Sequence, residues 1–158
     1  MASRVQDLYR EDFYAWTRDQ AGELQRLAEL RPNAELDWAN LIGEVEDLGK
    51  ADLRAVESQL RRVIEHCLML QFSTAVDPRR GWLNLIDDAR ERISDRLTQA
   101  LRADAEPQLQ RLHAQVLRRV RRDLAAYGET EAAAALPADC PFTFDQLIDP
   151  DWYPEHRA

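Results

Sequence analysis

The sequence predicts an all-α fold: a single-domain antiparallel helical bundle of about five main helices, with a short C-terminal helix and a docked tail. Composition favours helices because the 158 residues include only five glycines and are rich in Ala, Leu, Arg and Glu. Apolar residues also recur at helical spacing along most of the chain. A chain of this length suits one domain, residues 1–158, and can bury about 70% of its surface on folding.

Charge and cysteine content argue against several classes of protein. The net charge is −8, which disfavours broad nucleic-acid binding. Two cysteines, Cys67 and Cys140, make neither a disulfide framework nor a metal-type spacing. Charged residues interrupt the N-terminal stretch, so no signal peptide is predicted, and no window approaches the ~20 apolar residues of a membrane span. We therefore expect a cytoplasmic protein with no membrane partner.

The first predicted helix spans about residues 8–30. One face carries aromatic and aliphatic side chains at helical spacing, so this face is expected to be buried. Its members are Tyr9, Phe13, Trp16, Gln20, Leu24 and Leu27. Gln20, the polar member, is interpreted as a buried amide bonded to the backbone. The helix is expected to end at Arg31, because proline disfavours helical geometry at the residue before it.

Residues 36–72 are expected to organise the rest of the chain. Asp37 can cap the helix that follows it, because its carboxylate accepts hydrogen bonds from free backbone N–H groups. The apolar stripe of that helix is Trp38, Leu41, Ile42, Val45 and Leu48. Gly49 stands where the helix could stop or bend. Residues 51–72 are predicted as the central helix, about 33 Å long, because the sequence becomes apolar on almost every side after Glu65.

Three further segments complete the predicted bundle. A loop is expected over residues 73–81, followed by a fourth helix over residues 82–100. Pro107 can open a fifth helix, which can run on through Gly128 to Ala135. In the tail, residues 137–158, Thr143 and Gln146 have the spacing of a capping box. The apolar residues of the tail recur often enough to predict that it docks on the bundle.

Several of these motifs, taken in order, resemble those of a known family. They are Leu8-Tyr9, residues 12–17, Gln20-Ala21, Leu36-Asp37-Trp38 with Asn40-Leu41, residues 44–49, Ser58 with Leu60, His66 and Leu68, Trp82 with Ile86 and Arg90, and Cys140-Pro141-Phe142. The set is similar to the bacterial domain-of-unknown-function family numbered twenty-nine, over about residues 8–150. The resemblance implies an all-helical fold and no assigned activity. Gly43 stands where that family commonly has a second acid, and Met69-Leu70 stand in place of a Lys-Trp pair, so no role that needs those groups is carried over.

One cluster could carry chemistry: Glu44, Glu46, Asp47, His66 and Arg90. Carboxylates and imidazoles on facing helices can bind a metal, but di-iron bundles need Glu-x-x-His on two helices, and no glutamate precedes a histidine by three positions here. We interpret the cluster as structural rather than functional, with solvated surface and a metal site as the alternatives. The specific hypothesis is a Glu46–Arg90 pair in a helix seam, with His66 close by and no metal.

Two other features are interpreted as structural rather than functional. His113 lies near the apolar stripe of its helix and is expected to be a hydrogen-bonded core or boundary histidine. The basic run over residues 118–122 could meet phosphates, but Arg118, Arg121 and Arg122 lie opposite the apolar stripe, as a solvated face should. Residues 129–158, the acidic tail, carry a net charge of −6 (seven acids and one arginine) and are expected to neutralise this run. Nucleic acid is therefore a disfavoured partner.

The functional hypothesis is a non-catalytic protein–protein interaction module that binds a protein partner or a second copy of itself. No cofactor motif, nucleophile or complete ligand set is found in the sequence, so no cofactor is expected. The alternative is a metal-binding or enzymatic helical bundle that uses its acidic residues and His66.

Overall fold

The computed structural model describes residues 3–157, and within that range the chain forms α-helices, one 3₁₀ turn and no strand. The all-α prediction is confirmed. The helices are α1 (Arg4–Glu11), α2 (Phe13–Leu30), α3 (Trp38–Phe72), α4 (Arg79–Ser94), α5 (Gln99–Ala105), α6 (Leu109–Ala126), α7 (Thr130–Ala135) and α8 (Phe144–Ile148), with the 3₁₀ turn at Glu106–Gln108. None of the described helices is long and apolar enough to cross a membrane.

The chain divides into two compact units, and α3 contributes to both. The first unit contains the residues up to Ala55 together with Leu97–Asp104. The second contains Val56–Arg96 and the residues from Ala105 onward. The expectation of one helical domain over residues 1–158 therefore stays a prediction.

Asp12 divides the predicted first helix into α1 and α2. Its Oδ1 accepts a hydrogen bond of 2.9 Å from the backbone N–H of Ala15, so it caps α2. Its Oδ2 accepts another of 2.9 Å from the N–H of Ala100. Burial raises the pKa of Asp12, but the hydrogen bonds from Ala15, Ala100 and Thr98 outweigh that effect and lower it. The prediction of one helix over residues 8–30 is wrong because a short carboxylate serves better as a cap here.

Gly49 lies inside α3 and does not end it. The helix runs for 35 residues, so the two segments predicted on either side of Gly49 are one helix. Asp37 caps its start as predicted, accepting from the N–H of Asn40 at 3.3 Å. Gly49 is buried, and a Cβ placed on it would collide with Oγ1 of Thr17 on α2. The glycine therefore serves close helix packing in the first unit rather than a bend.

The second unit contains most of the buried apolar side chains. Its largest fully buried members include Leu60, Ile64 and Leu68 of α3, Leu112 and Leu124 of α6, and Phe144 and Leu147 of α8. Three polar contacts join α3 to α6: Glu57–Arg111 at 2.6 Å, Arg61–Gln115 at 3.2 Å and Glu65–Arg119 at 3.3 Å. Because both residue numbers rise by four from one contact to the next, the two helices run parallel in this unit.

The helix ends after α3 differ from the predicted ones. The fourth helix ends at Ser94, and residues 99–105 form the separate helix α5. Gly128 has a φ of 81° and ends α6. The N–H of Glu129 donates to the carbonyl of Leu124 at 2.9 Å, and the N–H of Gly128 donates to the carbonyl of Ala125 at 3.1 Å. This pair of bonds is a Schellman motif, so the predicted continuation through Gly128 is wrong.

The tail docks within the second unit, as predicted. Thr143 and Gln146 form the predicted capping box at the start of α8. Phe142, Phe144 and Leu147 are buried. Cys67 is also a core residue, as predicted, and burial raises the pKa of its thiol to about 12.

Candidate functional site

The acidic residues of the candidate cluster lie on the surface of the first unit. Glu44, Glu46 and Asp47 are exposed on α3. Glu46 makes an ion pair of 3.7 Å with Lys50, one turn further along the same helix, and both side chains are about half exposed. Such an exposed pair contributes little to stability. The expectation that Glu46 faces a helix seam is therefore wrong.

Arg90 is buried in the second unit, where it holds the tail. Its Nε donates to the carbonyl of Leu147 at 2.9 Å, and its Nη2 donates to those of Gln146 at 3.1 Å and Trp152 at 2.8 Å. The guanidinium carbon also lies 5.0 Å from the ring centroid of Tyr153. The hydroxyl of Tyr153 donates to Asp87, and this bond, together with burial, raises the pKa of Tyr153.

The predicted Glu46–Arg90 pair is wrong, because Glu46 is paired with Lys50 in the first unit and Arg90 is bonded to tail carbonyls in the second. Arg90 binds carbonyl oxygens, which offer its donors fixed geometry without the cost of burying a second charge. His66 is half-buried in the second unit, and its Nδ1 lies 2.7 Å from the carbonyl oxygen of Arg62. Within residues 3–157, no three His, Cys, Asp or Glu side chains are placed to hold one metal ion.

His113 is a core histidine, but it is not hydrogen-bonded as predicted. Its side chain is fully buried in the second unit, and neither ring nitrogen has a partner among the described residues. Burial lowers its pKa because it disfavours the charged imidazolium, and Asp139 opposes that effect only partly. The imidazole is therefore held neutral.

The basic run of α6 has partners that the sequence did not indicate. Arg119 is bonded to Glu65 of α3, and Arg122 to the adjacent Asp123 at 3.1 Å. The predicted neutralisation by the acidic tail is wrong for these two arginines, because nearer carboxylates on α3 and α6 reach them first.

The side of α1 and α2 that was expected to be buried is half-buried at Phe13, Trp16, Gln20 and Leu24 and exposed at Tyr9 and Leu27. The buried residues of α2 are Tyr14, Thr17 and Ala21, which lie on another side of the helix. Thr17 and Tyr14 approach Gly49, and the Tyr14 hydroxyl donates to Asp104 at 2.7 Å. The prediction rested on helical spacing alone, whereas the close approach of α3 at Gly49 buries the side of α2 that carries Tyr14 and Thr17.

Large apolar side chains on α1, α2 and the start of α3 consequently face solvent. The exposed ones are Val5, Tyr9, Leu27, Leu30, Leu41 and Leu48, with Leu36 in the loop before α3, and we call these seven residues the first-unit apolar surface. Tyr9 also contacts Phe13 and Trp16, with ring centroids 5.4 and 4.9 Å away. Leu41 and Leu48 are seven residues apart on α3 and therefore share one side of it.

Trp38 begins the apolar stripe of α3. It is half-buried rather than buried, and its indole N–H has no partner among the described residues. Residues 38–48 do form a helix with apolar residues at helical spacing, but spacing shows only that a helix has an apolar side. It does not show whether another part of the chain covers that side.

The chain is similar to proteins of unknown function. A family model described as "Domain of unknown function DUF29" matches residues 8–153. No protein of curated function matches the sequence. The crystal structure of an α-helical protein of unknown function from Rhodospirillum rubrum is similar, with a TM-score of 0.72 and 23% sequence identity, covering 91% of this chain and 90% of that one. At that identity the likeness supports the helical fold alone.

Proposed function

Since the chain belongs to the DUF29 family, which carries no assigned activity, we propose from its own surface that it is a non-catalytic module that binds another protein. The first-unit apolar surface is the contact surface in this proposal. The partner presents apolar side chains flanked by basic residues.

The observation that carries the proposal is the exposure of large apolar side chains in the first unit. Leu30 is 65% exposed, Leu36 54%, Tyr9 51% and Leu48 50%. Single exposed apolar residues are common on proteins, but many of them on neighbouring elements mark a surface that another molecule covers. Tyr9 and Trp16 are also residue types that contribute strongly to protein–protein binding.

The charge around this surface indicates the kind of partner. Glu44 and Asp47 are exposed on α3 between the positions of Leu41 and Leu48. A basic rim on the partner would complement these acids, whereas a second copy would bring like charges near them. A basic protein partner is therefore favoured over self-association.

The proposal is tested by placing a charge on the surface. Leu30→Glu and Leu48→Glu change exposed residues, so both variants should keep the helical circular dichroism and the melting temperature of the parent chain. Val76→Glu is the matched control, because Val76 is 77% exposed but belongs to the second unit. Tagged parent and variant chains are then used to isolate bound proteins from the source cells, and each candidate is purified and titrated.

We expect at least one purified protein to bind the parent chain and Val76→Glu equally, and the two leucine variants at least about tenfold more weakly. Sedimentation at increasing concentration tests whether the partner is a second copy of the chain. We expect the parent chain not to form a dimer through this surface, so Leu48→Glu should not change its sedimentation. If no protein loses affinity in the leucine variants and the parent chain does not self-associate, the proposal is wrong.

A further inference from the structure

We propose that a groove in the second unit binds an organic cation, an ammonium or guanidinium group on a short aliphatic stem. The groove lies between the end of α3, the loop that follows it, the start of α4 and the end of α6. The residues that the argument uses are His66, Met69, Trp82, Asp123, Tyr127 and Glu129, and we call this the second-unit groove. It is separate from the first-unit apolar surface.

The groove has the size and lining of a small-ligand site. Its volume is about 690 Å³, within the range of about 300–1,000 Å³ that such sites occupy. Met69, Pro78 and Trp82 give it an apolar lining against which an aliphatic stem can pack. The remaining polar groups decide which ligand chemistry fits.

His66 offers the groove a hydrogen-bond acceptor. Its Nδ1 lies 2.7 Å from the carbonyl oxygen of Arg62, which can only accept, so in the neutral ring Nδ1 carries the proton. Nε2 is then left with a free lone pair. A ligand that donates a hydrogen bond complements this nitrogen, and a ligand that only accepts does not.

Glu129 supplies a negative charge that no cation of the described chain neutralises. Its carboxylate accepts from the hydroxyl of Ser73 at 2.7 Å and from the N–H and hydroxyl of Thr74 at 2.6 and 2.7 Å. Burial raises the pKa of Glu129, but these neutral donors outweigh it and lower the pKa, so the carboxylate stays ionised. Glu65 and Asp123 also line the groove, but each already has an arginine partner.

No Lys or Arg belongs to the described lining, so an anion would find no positive charge there. Two aromatic rings add to the attraction for a cation. Trp82 is half-buried, and Tyr127 is 83% exposed at the rim, where the Schellman turn at Gly128 ends α6. A cation over either ring is attracted to its negative face, with tryptophan the strongest partner. The acceptor on His66, the unneutralised charge of Glu129 and the two aromatic rings therefore all favour an organic cation as the ligand.

The probes for this site are n-butylammonium, n-butylguanidinium and a capped Gly-Lys-Gly peptide, with butyrate and n-butanol as matched controls. Binding to the whole chain is followed by the NMR shifts of the Trp82 indole N–H and the His66 ring protons. We expect the cations to bind with a Kd of about 1 mM or tighter, and butyrate and butanol to bind at least about tenfold more weakly. Tighter binding of the peptide would assign the cation to a protein side chain, and equal or weaker binding would assign it to a free amine; both support the site.

Variants separate cation binding from simple apolar contact. Tyr127→Ala changes an exposed side chain and should keep the fold, yet weaken n-butylammonium about five- to tenfold. Glu129→Gln keeps an acceptor of the same size, removes the charge, and should remove the preference for n-butylammonium over butanol. Leu85→Ala, on α4 outside the groove, should bind as the parent chain does. The proposal would be overturned if n-butanol bound the parent chain as tightly as n-butylammonium does. It would also be overturned if Tyr127→Ala bound n-butylammonium as tightly as the parent chain.

Discussion

The two units of the chain use their apolar residues in opposite ways. Among the described residues, only Tyr14, Ala21 and Leu101 are buried apolar residues of the first unit, whereas the second contains all the others. Most of the exposed large apolar residues, by contrast, lie in the first unit. Apolar residues recur at helical spacing in both units, yet they form a core in the second unit and remain largely open to solvent in the first.

Arg90→Ala tests whether the second unit depends on buried polar groups as well as apolar ones. The change removes donors from three tail carbonyls and leaves a cavity, so it should cost about 3–5 kcal/mol of unfolding free energy, measured by denaturant melts. The tail should become sensitive to limited proteolysis near residues 140–153. Arg92→Ala, at an exposed position of the same helix, is the control, with an effect below about 0.5 kcal/mol. Equal losses in both variants would contradict the role given to Arg90.

Gly49→Ala tests the close approach of α2 and α3 in the first unit. The new Cβ would collide with Oγ1 of Thr17, so we expect a loss of about 1–3 kcal/mol. Combining it with Thr17→Ala, which removes that oxygen, should make the two losses less than additive in a double-mutant cycle. Gly22→Ala is the control, because a Cβ there meets nothing, and it should stabilise α2 slightly. Additive losses would mean that α2 and α3 do not meet at this point.

His113 gives the second unit a pH dependence. Its pKa in the folded chain lies below the usual 6.5, so below pH 6.5 the unfolded chain takes up a proton that the folded chain does not. Stability should therefore be full above that pH and fall as the pH decreases, by at most about 1.4 kcal/mol per pH unit. His113→Leu should flatten the slope between pH ~7 and ~5. Asp12 and Glu129 have lowered carboxyl pKa values and act only at more acidic pH. An unchanged slope in the variant would contradict the neutral, buried state of His113.

Glu46→Gln should have the smallest effect. The carboxylate pairs only with Lys50 on the surface, so its loss should cost less than about 0.5 kcal/mol, with or without a chelator. A loss of more than about 1 kcal/mol of unfolding free energy would contradict the exposed position of Glu46 and support the buried pair that the sequence predicted.

The sequence predicted the helical elements, the Asp37 cap and the capping box of the tail, because each depends on residues close together in the chain. The docking of the tail was predicted from its recurring apolar residues, although the contacts of Arg90 that hold the tail are distant in the chain. It did not predict the split at Asp12, since that carboxylate is also bonded to the distant N–H of Ala100. The Glu46–Arg90 pair failed for a related reason. Charge sign suggests partners, but the carbonyls that Arg90 binds carry no signature in the residue types around them. Which apolar side is covered likewise depends on packing partners such as Gly49 and Thr17.

A single pair of substitutions in α3 tests the difference between the units most directly. Leu60 and Leu48 belong to the same helix, but Leu60 is fully buried in the second unit and Leu48 is 50% exposed in the first. We predict that Leu60→Ala lowers the free energy of unfolding by about 2–5 kcal/mol. Leu48→Ala should lower it by less than about 1 kcal/mol in denaturant melts. Losses of similar size would mean that the first unit buries its apolar surface in the free chain, and would contradict its assignment as a surface for a partner.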